Sequence, residues 1–430
     1  MQLYSTNHQS PNVTFKQATF KGLPNDNGLF MPKIIPQLEA SILSSFNKMT
    51  FTEIAHIMAY ALIGDEISRA KLEEIVIDVF DFNVPLAQLD ENIQVLELFH
   101  GPTHAFKDFG ARFMARVMSH FLETETQEVN ILVATSGDTG SAVAQGFVGV
   151  PGISVTLLYP SGKVSGLQEM QLTTIGQNIT AIEVSGTFDD CQKMVKQAFL
   201  DPELSKSLYL TSANSINIAR LIPQSFYYMY AWSRTKAPAK EVIFSVPCGN
   251  FGNLCGGLIS AKMGMPVNRF IAATNINKIV PEYLDSGSFN PRPSVQTIAN
   301  AMDVGNPSNF PRIEALLGDY DNIRNYLIGA FHNDEQTLEI ISEVHKKFDY
   351  FVCPHTAIGY GALKNYLAEH HDLSGICLGT AHPAKFFDIV IKATGKEVEM
   401  PYRLKEVMGK EKISISMGNK FDDLKGFLLD

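Results

Sequence analysis

From residue 93 onward, short apolar runs alternate with stretches of helical periodicity, and this alternation constrains the fold more than any other feature of the chain. The runs 93–98, 129–134, 153–159, 179–184, 242–246, 269–274 and 375–379 are rich in Val, Ile and Leu. Strands that are apolar on both faces must be covered on both faces. The intervening segments near 107–122, 139–148, 188–200, 216–234 and 253–264 are long enough to be the covering helices. The expectation is an α/β architecture with parallel sheets. In such sheets ligands bind beyond the carboxyl ends of the strands, so the segment following each run is where chemistry is sought.

The first 92 residues have a different rhythm. Thr50 and Glu53 form a capping-box pattern, followed by Phe51, Ile54, Met58 and Leu62 at helical spacing and then Gly64. A second helix is expected over 67–80, and 22–36 reads as turn-rich. The opening segment is therefore expected to be a small, mainly helical unit. Residues 281–312, rich in Pro, Ser, Asn and Gly, read as an excursion from the core.

Charge narrows the function classes. The chain carries 35 Lys and Arg against 45 Asp and Glu, a net charge of −10, and its cations are scattered, which leaves no footprint for a nucleic acid. The five cysteines include no C-x-x-C pair, which argues against a disulfide framework or a Cys-rich zinc site. His100 with His104 and Cys353 with His355 lack further ligands, so no metal is expected. With no leader-like start and no apolar run of membrane length, a cytoplasmic protein without membrane or nucleic-acid partners is expected.

Three post-strand segments stand out. After 93–98 comes HGPTHAFKDFG, with Lys107 at a helix start. The helix dipole disfavours a cation there, which favours the free amine that a Schiff-base lysine needs; an ordinary exposed lysine is the competing reading. After 129–134 comes TSGDTGSA, where backbone amides and the hydroxyls of Thr135, Ser136 and Thr139 can receive an anion, or Asp138 can serve simply as a cap. After 242–246 comes PCGNFGNLCGG. Its glycines permit close backbone approach to a phosphate, yet it is neither a nucleotide P-loop nor a dinucleotide fingerprint, so a smaller phosphate is expected. Thr380, just past the last run, is uninformative by itself.

Taken in order, FHGPTHAFKDFG, ATSGDTGSA, SANSINIARL, VPCGNFGN and LGTAHPAKF resemble the threonine synthase family, pyridoxal-phosphate enzymes of fold type II, in its longer branch. The likeness spans nearly the whole chain and includes TFKGLPNDNGLFMP near the start. It implies two parallel-sheet α/β subdomains plus the N-terminal domain over 1–92, with a catalytic region over 93–430 and a smaller subdomain of about 112–235 within it. By the same resemblance, Lys107 matches the catalytic lysine that binds pyridoxal 5′-phosphate. Gly249, Asn250, Phe251, Gly252 and Asn253 match the loop for the cofactor phosphate, and Thr380 matches the hydroxyl for its ring nitrogen. Thr135, Ser136, Asp138 and Thr139 match the loop for the substrate carboxylate. Lys163, Ser165, Asn214 and Arg220 match polar residues around the substrate phosphate. Asp138 departs from the Asn that fold type II enzymes commonly place against the cofactor's 3′-oxygen.

The resemblance implies conversion of O-phospho-L-homoserine and water to L-threonine and phosphate, by a monomer or homodimer. A serine/threonine dehydratase of the same fold would not need Lys163 and Arg220 at the substrate tail. An NAD-dependent dehydrogenase on a doubly wound sheet would need no cofactor-bearing lysine.

Overall fold

The computed structural model describes residues 1–125, 127–235 and 241–430. Three sheets organise them. A small antiparallel sheet of order β2-β1-β3 is made by β1 (Gln2–Ser5), β2 (Val13–Thr14) and β3 (Phe30–Pro32). A six-stranded sheet has the order β12-β11-β10-β13-β5-β4, with β4 (Leu86–Asp90), β5 (Ile93–Glu97), β10 (Val242–Pro247), β11 (Phe270–Thr274), β12 (Leu327–Phe331) and β13 (Ser374–Gly379). All its pairings are parallel except that of β4 with β5. A five-stranded parallel sheet has the order β14-β8-β7-β6-β9, with β6 (Val129–Ala134), β7 (Ile153–Pro160), β8 (Ile179–Val184), β9 (Tyr209–Thr211) and β14 (Ile415–Met417).

The apolar runs from 93 onward all form strands in these two parallel sheets. β4, β9, β12 and β14 are additions that the pattern does not announce, and each is a sheet edge. Because β4 pairs with β5, the chain joins the larger sheet ahead of residue 92. The N-terminal segment also contains the β1–β3 sheet besides its helices, a component absent from a mainly helical reading. Its capping box is present: Thr50 Oγ1 accepts from Glu53 N, and Glu53 caps Thr50 N in return. The expected helix over 216–234 is broken into Ile218–Leu221, a tight turn Ile222–Ser225 and Phe226–Ser233. Pro223 has no amide to give and cannot continue an α-helical ladder.

The N-terminal unit is packed directly against the helix that begins at Lys107. Phe51, Phe80 and Phe82 lie 5.7, 5.5 and 5.1 Å, centroid to centroid, from Phe109 on that helix. Tyr227 closes the cluster from the other side at 5.1 Å. Such pairs add about 0.5–1.5 kcal/mol each beyond the area they bury.

Arg312 ties the same regions by polar contacts. It is fully buried, and its guanidinium donates to Ser215 O (3.0 Å), Ile216 O (2.6 Å), Phe30 O (3.1 Å) and Asn309 Oδ1 (2.7 Å). Asn309 Nδ2 in turn donates to Asn250 O at 2.9 Å, so the glycine loop after β10 is braced through this cation. Among the described residues no helix is long and apolar enough to cross a membrane. All five cysteines are buried and free.

Replacing Arg312 with Leu orphans several buried carbonyls at once, and the expected loss is about 3 kcal/mol or more. Urea unfolding measures it; a loss within about 0.5 kcal/mol, as for an ordinary surface site, would contradict this role.

Candidate active site

The carboxyl ends of the two parallel sheets face a shared cleft of about 490 Å³. The Lys107 turn follows β5, the Thr135–Thr139 turn follows β6, the glycine loop follows β10, and Thr380 follows β13; all line this cleft. Main-chain bonds hold β13 and the Lys107 turn together: Phe106 N donates to Thr380 O (2.9 Å) and His382 N to His104 O (3.0 Å).

Lys107 is the first residue of the helix Lys107–Leu122, and its Nζ donates to Thr139 Oγ1 at 2.8 Å. This bond crosses from the larger sheet's side of the cleft to the smaller sheet's. Burial is the main cause that lowers its ammonium to about 8; Arg220 and Lys385 add to the lowering and Asp138 opposes it. The direction agrees with the sequence expectation from the helix start and its aromatic and His neighbours, and desolvation is the dominant cause.

In the turn after β6, Thr135 Oγ1 accepts from Gly137 N (3.0 Å) and Gly140 N (2.8 Å) and donates to Gly137 O (3.3 Å). Its hydroxyl shapes the loop from within, while the residue itself lines the cleft. Ser136 is half-buried on the cleft wall. Asp138 is 5 % exposed and pairs with Lys385 Nζ at 2.6 Å, and its Oδ1 also accepts from Gln168 Nε2 at 3.0 Å. Burial pushes this carboxyl up, but Lys385, Lys107 and the hydrogen bonds outweigh burial and hold it at about 2.

In the glycine loop, Phe251 is left-handed (φ 61°) and the helix Gly252–Lys262 begins beside it. The first amides of a helix have no partners inside it, so they are available to an anion. Asn250 Oδ1 accepts from Ser308 N (3.2 Å) and Ser308 Oγ (2.9 Å). Asn253 Oδ1 accepts from the hydroxyls of Tyr227 (2.6 Å) and Tyr228 (2.8 Å), while its buried Nδ2 has no partner. A Cβ on Gly249 would stand 2.5 Å from Ala301 O, whereas one on Gly252 would meet nothing nearer than 3.4 Å.

Asn214 lines the cleft and donates from Nδ2 to Ala134 O at 3.0 Å. Arg220 is 3 % exposed and also lines it. One of its terminal nitrogens donates to Ala213 O, its Nε has no partner, and burial lowers the group to about 10. Lys163 and Ser165 do not join this group. Lys163 is exposed on the turn after β7, and Ser165 Oγ accepts from Gln168 N as the cap of the helix Gly166–Thr173. β7 runs to Pro160 and the turn beyond it is exposed, so neither residue lines this cleft, and their expected place around the substrate phosphate rests on the resemblance alone.

Several residues at or behind the cleft escaped the sequence reading. Lys385 lies inside the quoted motif LGTAHPAKF, where nothing in the sequence assigns it a role, and is buried behind the Asp138 turn. His355 lines the cleft, accepts from Ala301 N at 3.2 Å, and is lowered to about 4 mainly by burial. Asn300 and Ala301 come from the 281–312 excursion and line the cleft as well. The hydroxyls of Tyr227 and Tyr228, in a cluster that reads as plain helix packing, orient Asn253. Among the described residues no group of three His, Cys, Asp or Glu side chains is arranged to hold a metal.

Comparison with known proteins places this geometry in a family. Residues 83–377 match the family described as pyridoxal-phosphate dependent enzyme, residues 2–80 the threonine synthase N terminus, and residues 356–428 the threonine synthase C-terminal region. The chain is 43 % identical over 430 residues to threonine synthase of Haemophilus influenzae, covering 100 % of both chains. The crystal structure of threonine synthase from Escherichia coli superposes with a TM-score of 0.94 at 41 % identity, covering 100 % of this chain and 99 % of that one. The pyridoxal-phosphate-bound threonine synthase from Brucella melitensis gives 0.93 at 34 % identity over 100 % and 99 %. The chain belongs to the threonine synthase family of pyridoxal-phosphate-dependent enzymes.

Proposed function

We propose that this cleft converts O-phospho-L-homoserine and water to L-threonine and phosphate, with Lys107 as the cofactor-bearing and proton-moving residue. The observation that carries the phosphorylated substrate is Arg220: a buried guanidinium on the cleft wall with a free Nε and no carboxylate partner among the described residues. A buried cation left bare is costly, and an anionic ligand relieves that cost.

The residues present fit pyridoxal phosphate. The unpartnered Asn253 Nδ2 and the first amides of the Gly252–Lys262 helix suit its phosphate, with Gly249, Asn250, Phe251 and Gly252 shaping the loop. Thr380, a neutral hydroxyl, suits its ring nitrogen without adding charge. When bound, the cofactor supplies the electron sink that makes protons on the substrate's carbons removable.

Lys107 Nζ then acts as base and acid. An amine near 8 both accepts and returns a proton at neutral pH, as a shuttle between Cα and Cβ of the substrate requires. Thr139 holds Nζ in place through its hydroxyl. Ser136 and the main-chain amides after β6 receive the substrate carboxylate, with Asn214 bracing that wall through Ala134 O. Arg220 steadies the phosphate as its bond to Cγ breaks. A planar guanidinium presents two donors to phosphate oxygens.

Arg220→Met is expected to lower kcat/KM on phosphohomoserine by roughly ten- to a hundred-fold, the loss of one charge-assisted contact, while the visible absorbance of the bound cofactor is unchanged. Parent-like kinetics on phosphohomoserine, or faster turnover of serine or threonine assayed alongside, would overturn the substrate reading. The two glycines of the loop separate holding the cofactor from folding. Gly249→Val is expected to lower thermal stability as well as cofactor retention, because the side chain meets the Ala301 backbone. Gly252→Ala is expected to keep the parent's melting temperature and to weaken retention roughly tenfold by blocking backbone approach to the phosphate. Equilibrium dialysis decides it: retention equal to the parent's in Gly252→Ala sinks the phosphate assignment.

A further inference from the structure

We propose that Lys385 is a positioning residue for the Lys107 amine, acting through its ion pair with Asp138. It deepens the reading of Lys107 as the working amine and rests on it.

Lys385 is 1 % exposed and its side chain is wholly buried. Its Nζ reaches Asp138 Oδ1 at 2.6 Å and Thr103 O at 2.9 Å. Both partners adjoin the Lys107–Thr139 hydrogen bond. Asp138 is the neighbour of Thr139, whose Oγ1 accepts the hydrogen bond from Lys107 Nζ. Thr103 fixes the other side, since its N and Oγ1 donate to the two oxygens of Asp108 at 2.8 and 2.7 Å, and Asp108 follows Lys107. One ammonium therefore braces the residue after Lys107 and the residue before Thr139, from opposite sides of the cleft. Gln168 supplies the remaining lateral hold on Asp138, and its Oε1 accepts from Asn300 Nδ2 at 3.1 Å.

The pair also sets the charge that Lys107 meets. The charged or titratable groups facing its amine are Asp138 from the helix after β6, Arg220 from Ile218–Leu221, Lys385 from the turn after β13, and His355 from the helix Pro354–Leu367. Asp138 is the carboxylate among them. With Lys385 on its Oδ1, Asp138 is a largely compensated charge. Without Lys385, the carboxylate turns its full attraction on Lys107 and favours the ammonium form.

The test is the pH dependence of Lys107 acetylation by acetic anhydride in the full-length chain freed of cofactor, read by peptide mapping, with kcat and KM of the loaded enzyme measured alongside. Lys385→Met is expected to raise the labelling midpoint by about 1 pH unit or more, and Asp138→Asn to lower it by a similar amount. The double variant is expected to return towards the parent. In the loaded enzyme, Lys385→Met is expected to lower kcat more than it raises KM. A merely structural lysine would change stability and leave the midpoint alone. An unmoved midpoint in Lys385→Met overturns the proposal. If that variant does not fold, an unmoved midpoint in the near-isosteric Asp138→Asn overturns it equally. The labelling needs neither substrate nor turnover, so it fails separately from the assignment of Lys107 to catalysis, which mapping of the cofactor-bearing lysine tests.

Discussion

The hydrogen bond from Lys107 Nζ to Thr139 Oγ1 joins two sheets that share no strand. Lys107 stands on the helix after β5 and Thr139 on the helix after β6, so the bond exists only where the carboxyl ends of both sheets converge. The surrounding architecture serves that convergence. The aromatic cluster of Phe51, Phe80, Phe82 and Tyr227 seats the Lys107 helix. Arg312 draws β3, residues 215–216 and Asn309 together behind the glycine loop. Ala301 packs so closely on Gly249 that only glycine fits there.

Electrostatics gives the cleft its chemical character. Three cations, Lys107, Lys385 and Arg220, are set among two buried carboxylates, Asp138 and Asp108. Asp108 is raised to about 6 by burial, although Thr103 binds both its oxygens. Asp138, against Lys385, stays ionised. This leaves Arg220 with no carboxylate within ion-pair distance among the described residues, and Lys107 with its ammonium lowered to about 8. A cleft of this balance receives anions and holds one amine ready to exchange a proton at ordinary pH.

The parallel strands were legible because they are buried on both faces and therefore had to be apolar throughout. β9, β12 and β14 are edge strands: Leu327–Phe331 and Ile415–Met417 each expose part of their length, and short, mixed runs carry no comparable signal. Pro223 breaks the helix expected over 216–234, because it has no amide to give to an α-helical ladder. Lys107, the glycine loop and Thr380 could be located because each follows a strand end. Lys385 could not, since its meaning depends on Asp138, remote in sequence, and a lysine in a short turn reads as solvated. Lys163 was placed by the resemblance and by its turn after a strand end, and its side chain is exposed outside the cleft lining. The roles of Tyr227 and Tyr228 were hidden for a similar reason: their rings pack as expected, and only their hydroxyls do something specific.

The account depends on one lysine being the cofactor's partner, and two buried lysines compete for that role. Lys107 opens into the cleft with Thr139 as its one hydrogen-bond partner among the described residues, whereas Lys385 is committed to Asp138 and Thr103. Borohydride reduction of the pyridoxal-phosphate-loaded protein, followed by peptide mapping, fixes the cofactor to the lysine that carries it. The label is expected on Lys107 alone. Label on Lys385, or on any other lysine, would contradict the account.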